Sequence, residues 1–246
     1  MQLVFSESQI QRTARDRLGG EPLPLILARQ ALVEGWVRLT RNIDFRVQEN
    51  DDALDAYRAI KGKEFEHINA RQRWALWRTI PRNLSGKLQA NVPIHVIDLC
   101  CGVGHSTEAL ACYVPNGSTL VGIDASEEFI AQARSKKYLD GSGVAADVQF
   151  KTQSVLEPFA EPNTVDLINC SGAIGFHFSR SMTEQLSREI DRVLKPGGLV
   201  CLDSGKIGTT LEELREIFVG QLGYTDQGTA RSFALDPLVQ ASFRKK

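Results

Sequence analysis

The sequence has almost no excess of charge. Its 246 residues carry 29 Lys and Arg against 30 Asp and Glu, which gives a formal net charge of −1 at pH 7. A chain this close to neutrality has no overall field that attracts nucleic acid or an anionic membrane. We therefore expect no membrane association and disfavour nucleic acid as a partner.

The chain also has little that resembles a membrane span or a secretion signal. Residues 23–39 are apolar, but Pro24, Arg29, Glu34 and Arg38 interrupt the run, which is too short and too charged to cross a bilayer. We interpret it as a buried amphipathic helix. The N-terminal residues lack the basic, apolar and cleavage-site order of a signal peptide, so we expect a cytoplasmic protein.

Cysteine is scarce, and its spacing excludes a zinc site. The five cysteines have no Cys-x-x-Cys pair and no nearby histidine pattern, so no metal is expected. We interpret them as free thiols in or beside the core, which implies a reducing compartment. They are Cys100, Cys101, Cys112, Cys170 and Cys201.

The most informative segment is residues 96–107, which read VIDLCCGVGHST. The apolar run predicts a buried strand, and Gly102 and Gly104 allow a ligand to approach the backbone closely. Ser106 and Thr107 then begin a helix whose first N–H groups point toward the same loop. A strand, glycine loop and helix in this order hold the polar end of a nucleotide-like cofactor.

A second apolar run, residues 120–124, ends in Asp124. This acid lies about 20 residues after the glycines, where a carboxylate binds the ribose of a dinucleotide-type cofactor. Ser126 follows as the N-cap of another predicted helix. The alternative is that Asp124 only begins a turn.

Three features separate this segment from a dinucleotide-binding fingerprint, which has glycine at three positions. Cys100 stands at the first of these positions and Thr107 near the third. Asp98 precedes the loop, where its charge opposes a pyrophosphate but suits an ammonium group. Residues 192–200, RVLKPGGLV, end a helix and turn sharply into another strand.

On these motifs, residues 90–205 resemble the class I methyltransferases that depend on S-adenosylmethionine (SAM), particularly those acting on small molecules. Residues 98–104 are similar to their first motif, and residues 194–198 to the turn before their fifth strand. The resemblance implies SAM as cofactor and S-adenosylhomocysteine as its product.

Short apolar runs alternate with helical patterns from about residue 90 onward. Predicted strands cover residues 94–99, 120–123, 148–151, 165–170 and 199–202. This alternation predicts an α/β fold, a Rossmann-like, doubly wound and mostly parallel sheet. Residues 1–90 are expected to form an N-terminal helical cap, and residues 91–246 the SAM-binding domain.

Two parts of this organisation are less regular. The clearest helix of the cap is predicted over residues 63–79 and is stopped by Pro81. Residues 211–220 predict a helix, whereas residues 224–235 are too short for two strands. The closing hairpin expected from the resemblance is therefore hard to find.

The resemblance also implies positions for each part of SAM. The methionine end of SAM would be bound by the loop residues Asp98, Cys100, Gly102 and Gly104. The ribose of SAM would be bound by Asp124. Ala125 and Val155 would contact adenine. Ser154 stands where many relatives have an acid that accepts a hydrogen bond from the adenine amino group, and its hydroxyl accepts more weakly.

Residues 169–178, NCSGAIGFHF, follow the fourth predicted strand. They lack the Asn-Pro-Pro-Tyr motif of methyltransferases acting on exocyclic amines. His177 is a candidate general base, with a packed core histidine as the alternative. Phe176, Tyr57 and Trp74 are further candidates for the acceptor site, Tyr57 by analogy as a residue that closes over the methyl group.

Residues 71–78, RQRWALWR, mix cations with indoles. Trp74 and Trp77 are three residues apart and share a helical face. Arg71 is a candidate clamp for the carboxylate of SAM or of an acidic substrate. The alternatives are an RNA-binding face and a tryptophan stripe packed on the core beneath a solvated basic face.

The leading hypothesis from sequence is a SAM-dependent methyltransferase that acts on an O, N or C nucleophile of a small molecule. The first alternative is an RNA methyltransferase that uses the Arg/Trp helix. The second is a non-catalytic SAM-binding module. The sequence determines neither the acceptor nor the oligomeric state.

Overall fold

The computed structural model describes residues 1–41, 57, 60–234, 236 and 238–246. The helices are α1 (Glu7–Leu18), α2 (Leu23–Arg41), α3 (Gly62–Ile68), α4 (Ala70–Leu84), α5 (His105–Tyr113), α6 (Glu127–Arg134), α7 (Ile174–His177), α8 (Arg180–Val193) and α9 (Leu211–Arg215), the last continuing into a π-helical segment, Glu216–Gln221. The strands are β1 (His95–Leu99), β2 (Thr119–Asp124), β3 (Asp147–Thr152), β4 (Val165–Cys170), β5 (Leu194–Ser204), β6 (Thr225–Ala230) and β7 (Val239–Arg244).

The strands form one seven-stranded sheet in the order β3-β2-β1-β4-β5-β7-β6. Neighbouring strands from β3 to β5 are parallel, and β7 is antiparallel to both β5 and β6. The predicted α/β, mostly parallel, doubly wound sheet is confirmed. The chain order reverses between β1 and β4, and ligands of such sheets bind at this switch point, outside the carboxyl ends of the strands.

Burial of the central strands explains why the sequence located them well. β1 and β4 are buried along nearly their whole length, since helices cover both faces of the sheet. The predicted range 165–170 coincides with β4. The predicted range 199–202 is too short, because β5 already begins at Leu194, before the Pro196-Gly197-Gly198 turn.

The closing hairpin missed by the sequence is present. β6 begins at Thr225, but its partner β7 begins only at Val239, which lies beyond residues 224–235. β7 lies between β5 and β6 and is almost wholly buried. The sequence of this strand, VQASFR, alternates apolar with polar residues. The strand is hard to recognise from sequence because its polar residues Gln240 and Ser242 are buried as well.

The helix predicted over residues 63–79 is two helices. α3 ends at Ile68, Asn69 interrupts the ladder, and α4 then runs to Leu84. Pro81 lies inside α4 and does not stop it. A proline here removes one hydrogen bond of the last turn, and burial of Ile80, Pro81 and Leu84 holds the turn in place.

Two apolar layers cover the two faces of the sheet. On one face, α8 and the π-helical segment pack on the strands through residues such as Ile190 and Phe218. On the other, α1, α4 and α5 pack through residues such as Ala14, Trp77 and Leu110. The helix α4 therefore shares a core with the sheet and does not only lie over it.

The expectation for residues 23–39 is half right. They do form a helix, α2, and Ile26 and Val37 are buried. The opposite face, however, leaves Leu25, Leu32 and Trp36 exposed to solvent. In the described part of the chain, no helix combines the length and apolarity needed to cross a membrane.

Candidate functional site

A cavity opens at the carboxyl ends of the central strands, beneath α3 and α4. The glycine loop after β1, the end of β2, the loop after β3 and the loop after β4 all contribute to its wall. It is lined by Tyr57, Phe65, Asn69, Gln72, Cys100, Gly102, Asp124, Ala125, Ser126, Phe129, Ser154, Val155, Leu156, Ser171, Gly172, Ala173, His177 and Phe178.

The loop after β1 is built from left-handed residues. Gly102 has φ +53° and Gly104 φ +84°, and Cys100, which is not a glycine, has φ +52°. A Cβ on Gly104 would lie 2.1 Å from the Tyr138 hydroxyl, and one on Gly102 would lie 3.0 Å from the Phe65 ring. Both glycines are required by close contacts, and Cys100 stores strain in the cavity wall.

Asp124 links the end of β2 to this loop. Its Oδ2 accepts a hydrogen bond from Gly102 N (2.8 Å), and its Oδ1 accepts one from Ser126 N (2.9 Å). Burial raises the pKa of the Asp124 carboxyl above its ordinary value, and the backbone N–H groups partly oppose this. A carboxylate has about four acceptor positions, so Asp124 retains capacity for the hydroxyls of a ribose.

Asp98 lies fully inside the protein and does not line the cavity. Its Oδ2 accepts hydrogen bonds from Ser106 Oγ (2.7 Å) and Thr107 Oγ1 (2.6 Å). Its Oδ1 accepts one from Asn169 Nδ2 (2.7 Å), the residue that pairs with it across β1 and β4. Burial raises the pKa of Asp98 to about 6, although these hydrogen bonds lower it.

The hydrogen bonds of Asp98 continue across the sheet. Asn169 Oδ1 accepts a hydrogen bond from Gln240 Nε2 of β7 (2.9 Å), which also donates to Ser171 Oγ (2.7 Å). Gln240 Oε1 in turn accepts one from Asn83 Nδ2 of α4 (3.1 Å). A chain of buried polar side chains thus ties the glycine loop to β4, β7 and α4.

Two aromatic side chains meet on the other side of the cavity. The Tyr57 hydroxyl lies 2.9 Å from His177 Nε2, within hydrogen-bond distance. The Tyr57 ring also makes edge contacts with Phe65 and Phe129, at centroid distances of 5.6 and 6.3 Å. Burial raises the pKa of Tyr57 above its ordinary value, so the phenol remains protonated at neutral pH.

His177 is held in place through the short helix α7. The buried carboxylate of Asp203, at the end of β5, accepts hydrogen bonds from the backbone N–H groups of Ala173, Ile174 and Gly175 at 2.9–3.3 Å. The backbone of Gly175 also touches the loop after β5, since a Cβ on it would lie 2.4 Å from Gly205 N. The position of His177 therefore depends on β5 and not only on the β4 loop that carries it.

Comparison with known proteins finds methyltransferases that are similar to part of this chain. A protein-family profile described as a methyltransferase domain matches residues 96–198. A demethylmenaquinone methyltransferase from Lactiplantibacillus plantarum is 36% identical over 115 residues, which are 46% of this chain and 46% of that protein. A probable methyltransferase from Aspergillus luteorubrus is 31% identical over 111 residues, 43% of this chain and 38% of that protein.

Residues 96–198 therefore match a methyltransferase domain, and the chain is similar to methyltransferases over this part of its length. The chain spans less than half the length of both of these relatives.

Solved structures agree with this fold. Magnesium protoporphyrin IX methyltransferase from Synechocystis, solved with bound SAM, superposes with a TM-score of 0.51 at 18% identity, covering 63% of this chain and 71% of that one. A SAM-dependent methyltransferase from Mesorhizobium loti gives a TM-score of 0.50 at 15% identity, covering 65% and 94%. At these identities the similarity concerns the fold alone.

The structure brings together most of the residues proposed for the methyltransferase site from sequence. Those that line the cavity are Tyr57, Cys100, Gly102, Asp124, Ala125, Ser154, Val155 and His177. Gly104 shapes the same loop from behind, against Tyr138.

Besides Gly104, four candidates lie outside the cavity lining. Asp98 is buried behind the glycine loop, as described above. Arg71 donates to Asp236 Oδ1 at 2.7 Å, so its charge already has a carboxylate partner. The Trp74 indole stacks under the Arg78 guanidinium, 3.7 Å from the ring centroid. Phe176 precedes His177 on α7 and does not contribute to the lining.

Apart from Tyr57, sequence reasoning missed the residues that the cap contributes to the wall of the cavity. Phe65, Asn69 and Gln72 all line it, and Gln72 Nε2 donates to the Ser171 carbonyl at 2.7 Å. Their spacing of four and three residues would have indicated them, since it places them on one face of the single helix predicted over residues 63–79.

The described residues include no cluster of His, Cys, Asp or Glu able to hold a metal ion. All five cysteines are free. Burial raises the pKa of Cys101 well above that of an ordinary thiol, so this side chain stays a protonated thiol at neutral pH.

Proposed function

We propose that this protein is a SAM-dependent methyltransferase whose acceptor is a small molecule bound under α3 and α4. The observation that carries the proposal is one cavity that joins the glycine loop and Asp124 to the Tyr57–His177 pair. The glycine loop and Asp124 suit a nucleoside cofactor, and the Tyr57–His177 pair suits proton transfer from an acceptor. The relatives named demethylmenaquinone methyltransferase support a small-molecule acceptor.

The cofactor half of the cavity has the right chemistry for SAM. Asp124 would hold the ribose hydroxyls with the acceptor capacity that its two backbone hydrogen bonds leave. Ala125 and Val155 would flank adenine, with Ser154 beside its amino group. The backbone at Cys100 and Gly102 would face the methionine end. When bound, SAM supplies a methyl group already activated by its sulfonium.

Asp98 would act on this half indirectly. Its carboxylate holds Ser106 and Thr107 at the start of α5, and so fixes the glycine loop from behind. This role differs from direct contact with an ammonium group, for which the residue is too deeply buried.

The acceptor half would remove a proton from the nucleophile. Since the phenol of Tyr57 stays protonated, its hydroxyl can pass its own proton to His177 Nε2 and take up the proton of the nucleophile. The positive charge then lies on the imidazole of His177. Proton transfer by a positioned side chain typically contributes about 10²–10⁴-fold in rate. Alignment of the two reactants in a closed site contributes on the order of 7–11 kcal/mol.

Apolar side chains complete the acceptor half. Phe65 and Phe129, whose rings contact that of Tyr57, line the cavity together with Leu156 and Phe178. They would exclude water from the reacting atoms, and they favour an acceptor with a flat or apolar ring.

The helix with interleaved arginines and tryptophans gives little support to the RNA alternative. Arg71 pairs with Asp236, Arg73 with Glu108 and Arg82 with Glu7, so all three cations already serve contacts within the protein. Trp77 is completely buried. Packing of Trp77 in the core and stacking of Trp74 with Arg78 account for both indoles without RNA.

Calorimetric titration with SAM, S-adenosylhomocysteine and NAD tests the cofactor assignment. We expect both sulfur compounds to bind and NAD not to bind. Asp124→Ala should weaken SAM binding at least tenfold while the circular dichroism spectrum stays unchanged. Equal SAM affinity in a folded Asp124→Ala variant contradicts the ribose assignment, and binding of NAD alone contradicts the family function.

Transfer of a labelled methyl group from SAM to a panel of phenols, hydroquinones and amines tests the acceptor half. With any acceptor that reacts, His177→Ala should lower kcat about 10²–10⁴-fold without changing the Kd of SAM. Tyr57→Phe should lower kcat to a similar extent, because it removes the hydroxyl through which the proton would reach His177. Tight SAM binding with no transfer to any of these compounds supports the non-catalytic module instead.

A further inference from the structure

A row of hydrogen-bonded side chains links a cation just after α4 to the carboxylate behind the glycine loop. Lys87 Nζ donates a hydrogen bond to Asn83 Oδ1 at 2.9 Å. From Asn83 the hydrogen bonds continue through Gln240 of β7 and Asn169 of β4 to Asp98 of β1. The three amide residues are at most 3% exposed, so water does not compete for their hydrogen bonds.

The direction of these hydrogen bonds is fixed by the two ends of the row. An ammonium group can only donate and an ionised carboxylate can only accept, whereas an amide has one side of each kind. Lys87 therefore turns the oxygen of Asn83 toward itself, and Asn83 Nδ2 donates to Gln240 Oε1 at 3.1 Å. Gln240 Nε2 donates to Asn169 Oδ1 at 2.9 Å, and Asn169 Nδ2 donates to Asp98 Oδ1 at 2.7 Å. Every donor thus faces away from the cation and toward the carboxylate.

Gln240 is the branch point of the row. The second N–H of its Nε2 donates to Ser171 Oγ at 2.7 Å, and Ser171 Oγ donates to Asn169 Oδ1 at 3.1 Å. The Asn169 oxygen therefore accepts two hydrogen bonds, one from Gln240 and one from a hydroxyl that Gln240 holds. β5 lies between β7 and β4 in the sheet, so the Gln240 side chain spans a whole strand. The orientation of Asn169 is set from a strand that does not pair with its own.

The carboxylate end of the row lies at the start of α5. Asp98 Oδ2 accepts hydrogen bonds from Ser106 Oγ and Thr107 Oγ1 in the first turn of this helix, which follows Gly104 directly. The glycine loop connects β1 to α5, so the position of that first turn determines where the backbone of the loop lies. Hydrogen bonds in series strengthen one another in a low-dielectric interior, and a mismatch at one amide therefore affects the next.

Stability alone does not account for this row. Apolar side chains of similar size would fill the same space without removing amides and a carboxylate from water. The row instead ends on the groups that hold the glycine loop. Gln240 and Asn83 do not line the candidate cavity, so they can act on a ligand there only through the residues between.

We propose that Gln240 is a positioning residue of the candidate cofactor half. Its amide orients Asn169, and Asn169 holds Asp98 in the rotation in which both carboxylate oxygens are used. The start of α5 and the glycine loop then keep the shape that binds the methionine end of SAM. This inference rests on the proposed function, since it concerns the affinity for SAM.

Reversal of the row tests the proposal. Gln240→Glu replaces the donating amide by a carboxylate, which at pH 8 only accepts. Asn169 must then turn its nitrogen toward position 240, and its oxygen meets the carboxylate of Asp98. The substitution should weaken SAM binding about tenfold, because one buried pair of groups is left mismatched. Asp98→Asn should have a similar effect, since the nitrogen introduced at position 98 meets that of Asn169.

The two substitutions together give a complete row that runs the other way. The amide introduced at position 98 donates to Asn169 Oδ1, and Asn169 Nδ2 donates to the carboxylate introduced at position 240. Ser106 and Thr107 still donate to the oxygen at position 98, and Asn83 still donates to position 240. The SAM affinity of the double variant should return to within about threefold of that of the unchanged protein, a compensation that independent sites do not show.

Gln240→Met is the matched control at the same position, because it buries no charge and its thioether is only a weak acceptor. It should weaken SAM binding about tenfold, and addition of Asp98→Asn should not restore the affinity. Tyr224→Phe controls for a general loss of stability, since it removes a hydrogen bond to Asp191 Oδ1 (3.0 Å) outside the row. Its SAM affinity should equal that of the unchanged protein. Calorimetry gives each Kd, at a temperature at which circular dichroism shows every variant folded.

Two results overturn the proposal while SAM still binds. The first is an unchanged SAM affinity in Gln240→Glu and Gln240→Met. The second is a double variant, Gln240→Glu with Asp98→Asn, that binds SAM no better than either single variant. If the unchanged protein itself binds no SAM, the proposed function fails and the role of Gln240 fails with it. The two kinds of failure are therefore distinguishable.

Discussion

At the scale of single residues, the candidate site depends on carboxylates that the fold has removed from water. Asp98 and Asp203 are both buried, and each compensates for lost hydration with three hydrogen bonds. Neither side chain lines the cavity. Asp98 organises the loop on the proposed cofactor side, and Asp203 organises α7 on the proposed acceptor side.

Asp98 gives the stability of the fold a pH dependence that can be measured. Its native pKa of about 6 lies above that of an unfolded aspartate, about 3.9, so the native state binds this proton more tightly. The contribution is fully present below about pH 4 and is lost as the pH rises through 6. We expect Asp98→Asn to remove this dependence.

Urea unfolding at pH 5 and pH 7 measures the effect of Asp98. The free energy of unfolding of the unchanged protein, relative to Asp98→Asn, should be about 1 kcal/mol higher at pH 5 than at pH 7. Comparison with the variant cancels the other titrating groups. An equal difference at the two pH values contradicts the raised pKa.

Ser154 offers a gain-of-affinity test of the proposed adenine position. Its hydroxyl lines the cavity and accepts a hydrogen bond from Leu156 N at 3.3 Å. Ser154→Asp should tighten SAM binding about three- to tenfold, because an ionised acceptor binds an amino group more strongly than a hydroxyl. Calorimetry checks this, with Ser154→Ala as the control expected to weaken binding; a weaker Ser154→Asp complex argues against adenine at this position.

At the scale of elements, the acceptor side is set by the contact between α7 and the loop after β5. Gly175 of α7 approaches the backbone of Ser204 and Gly205 so closely that a Cβ would lie 2.4 Å from both. Backbone atoms cannot move aside as a flexible side chain can. This contact fixes the distance between His177 and the end of β5.

Gly175→Ala is therefore expected to displace α7. The cost in stability should be about 1–3 kcal/mol, as for other overpacked sites. Methyl transfer should fall at least tenfold while the Kd of SAM stays within threefold, because α7 lies on the acceptor side. Thermal unfolding, calorimetry and the labelled-methyl assay measure the three quantities.

Gly35→Ala is the control for this substitution. Gly35 lies in α2 without a positive φ, and a Cβ added to it would have no neighbouring atom of the described residues within 4 Å. Alanine at this position should therefore be neutral or stabilise the protein by about 0.5–1 kcal/mol. Unchanged activity in Gly175→Ala contradicts the role given to the α7 contact.

At the scale of the whole molecule, the cap and the sheet share one core. Trp77 of α4 is fully buried with residues of α5, β1 and β2 in one cluster. The hydrogen-bond chain from Asn83 through Gln240 and Asn169 to Asp98 also crosses from α4 to the glycine loop. We therefore expect α4 and the sheet to unfold together.

Trp77→Ala tests this shared core. The free energy of unfolding should fall by about 3–5 kcal/mol, as for other buried tryptophans. The whole thermal unfolding transition should move to lower temperature by about 10 °C. Far-ultraviolet circular dichroism and the fluorescence of the remaining tryptophans should report the same midpoint. Two separate transitions contradict a single cooperative unit.

The sequence by itself determined the central parallel sheet and the cofactor loop. Four buried strands and the glycines between them are local signals, because a buried strand needs an unbroken apolar run and a tight loop needs residues that tolerate positive φ. The same local chemistry indicated Asp124, and the resemblance added Ser154 and Val155. Each of these positions is fixed by the few residues around it.

Only the tertiary structure decided where the remaining groups point. Asp98 is turned inward by Asn169, Ser106 and Thr107, and Arg71 is turned away from the cavity by Asp236, which is 165 residues distant in sequence. The strand β7 is hidden in the sequence because its polar side chains find partners far along the chain. The exposed apolar side chains of α2 are likewise not predictable from periodicity. Because apolar residues occur on two faces of this helix, the sequence indicates only that the helix is apolar, and the packing of the cap determines which face is left at the surface.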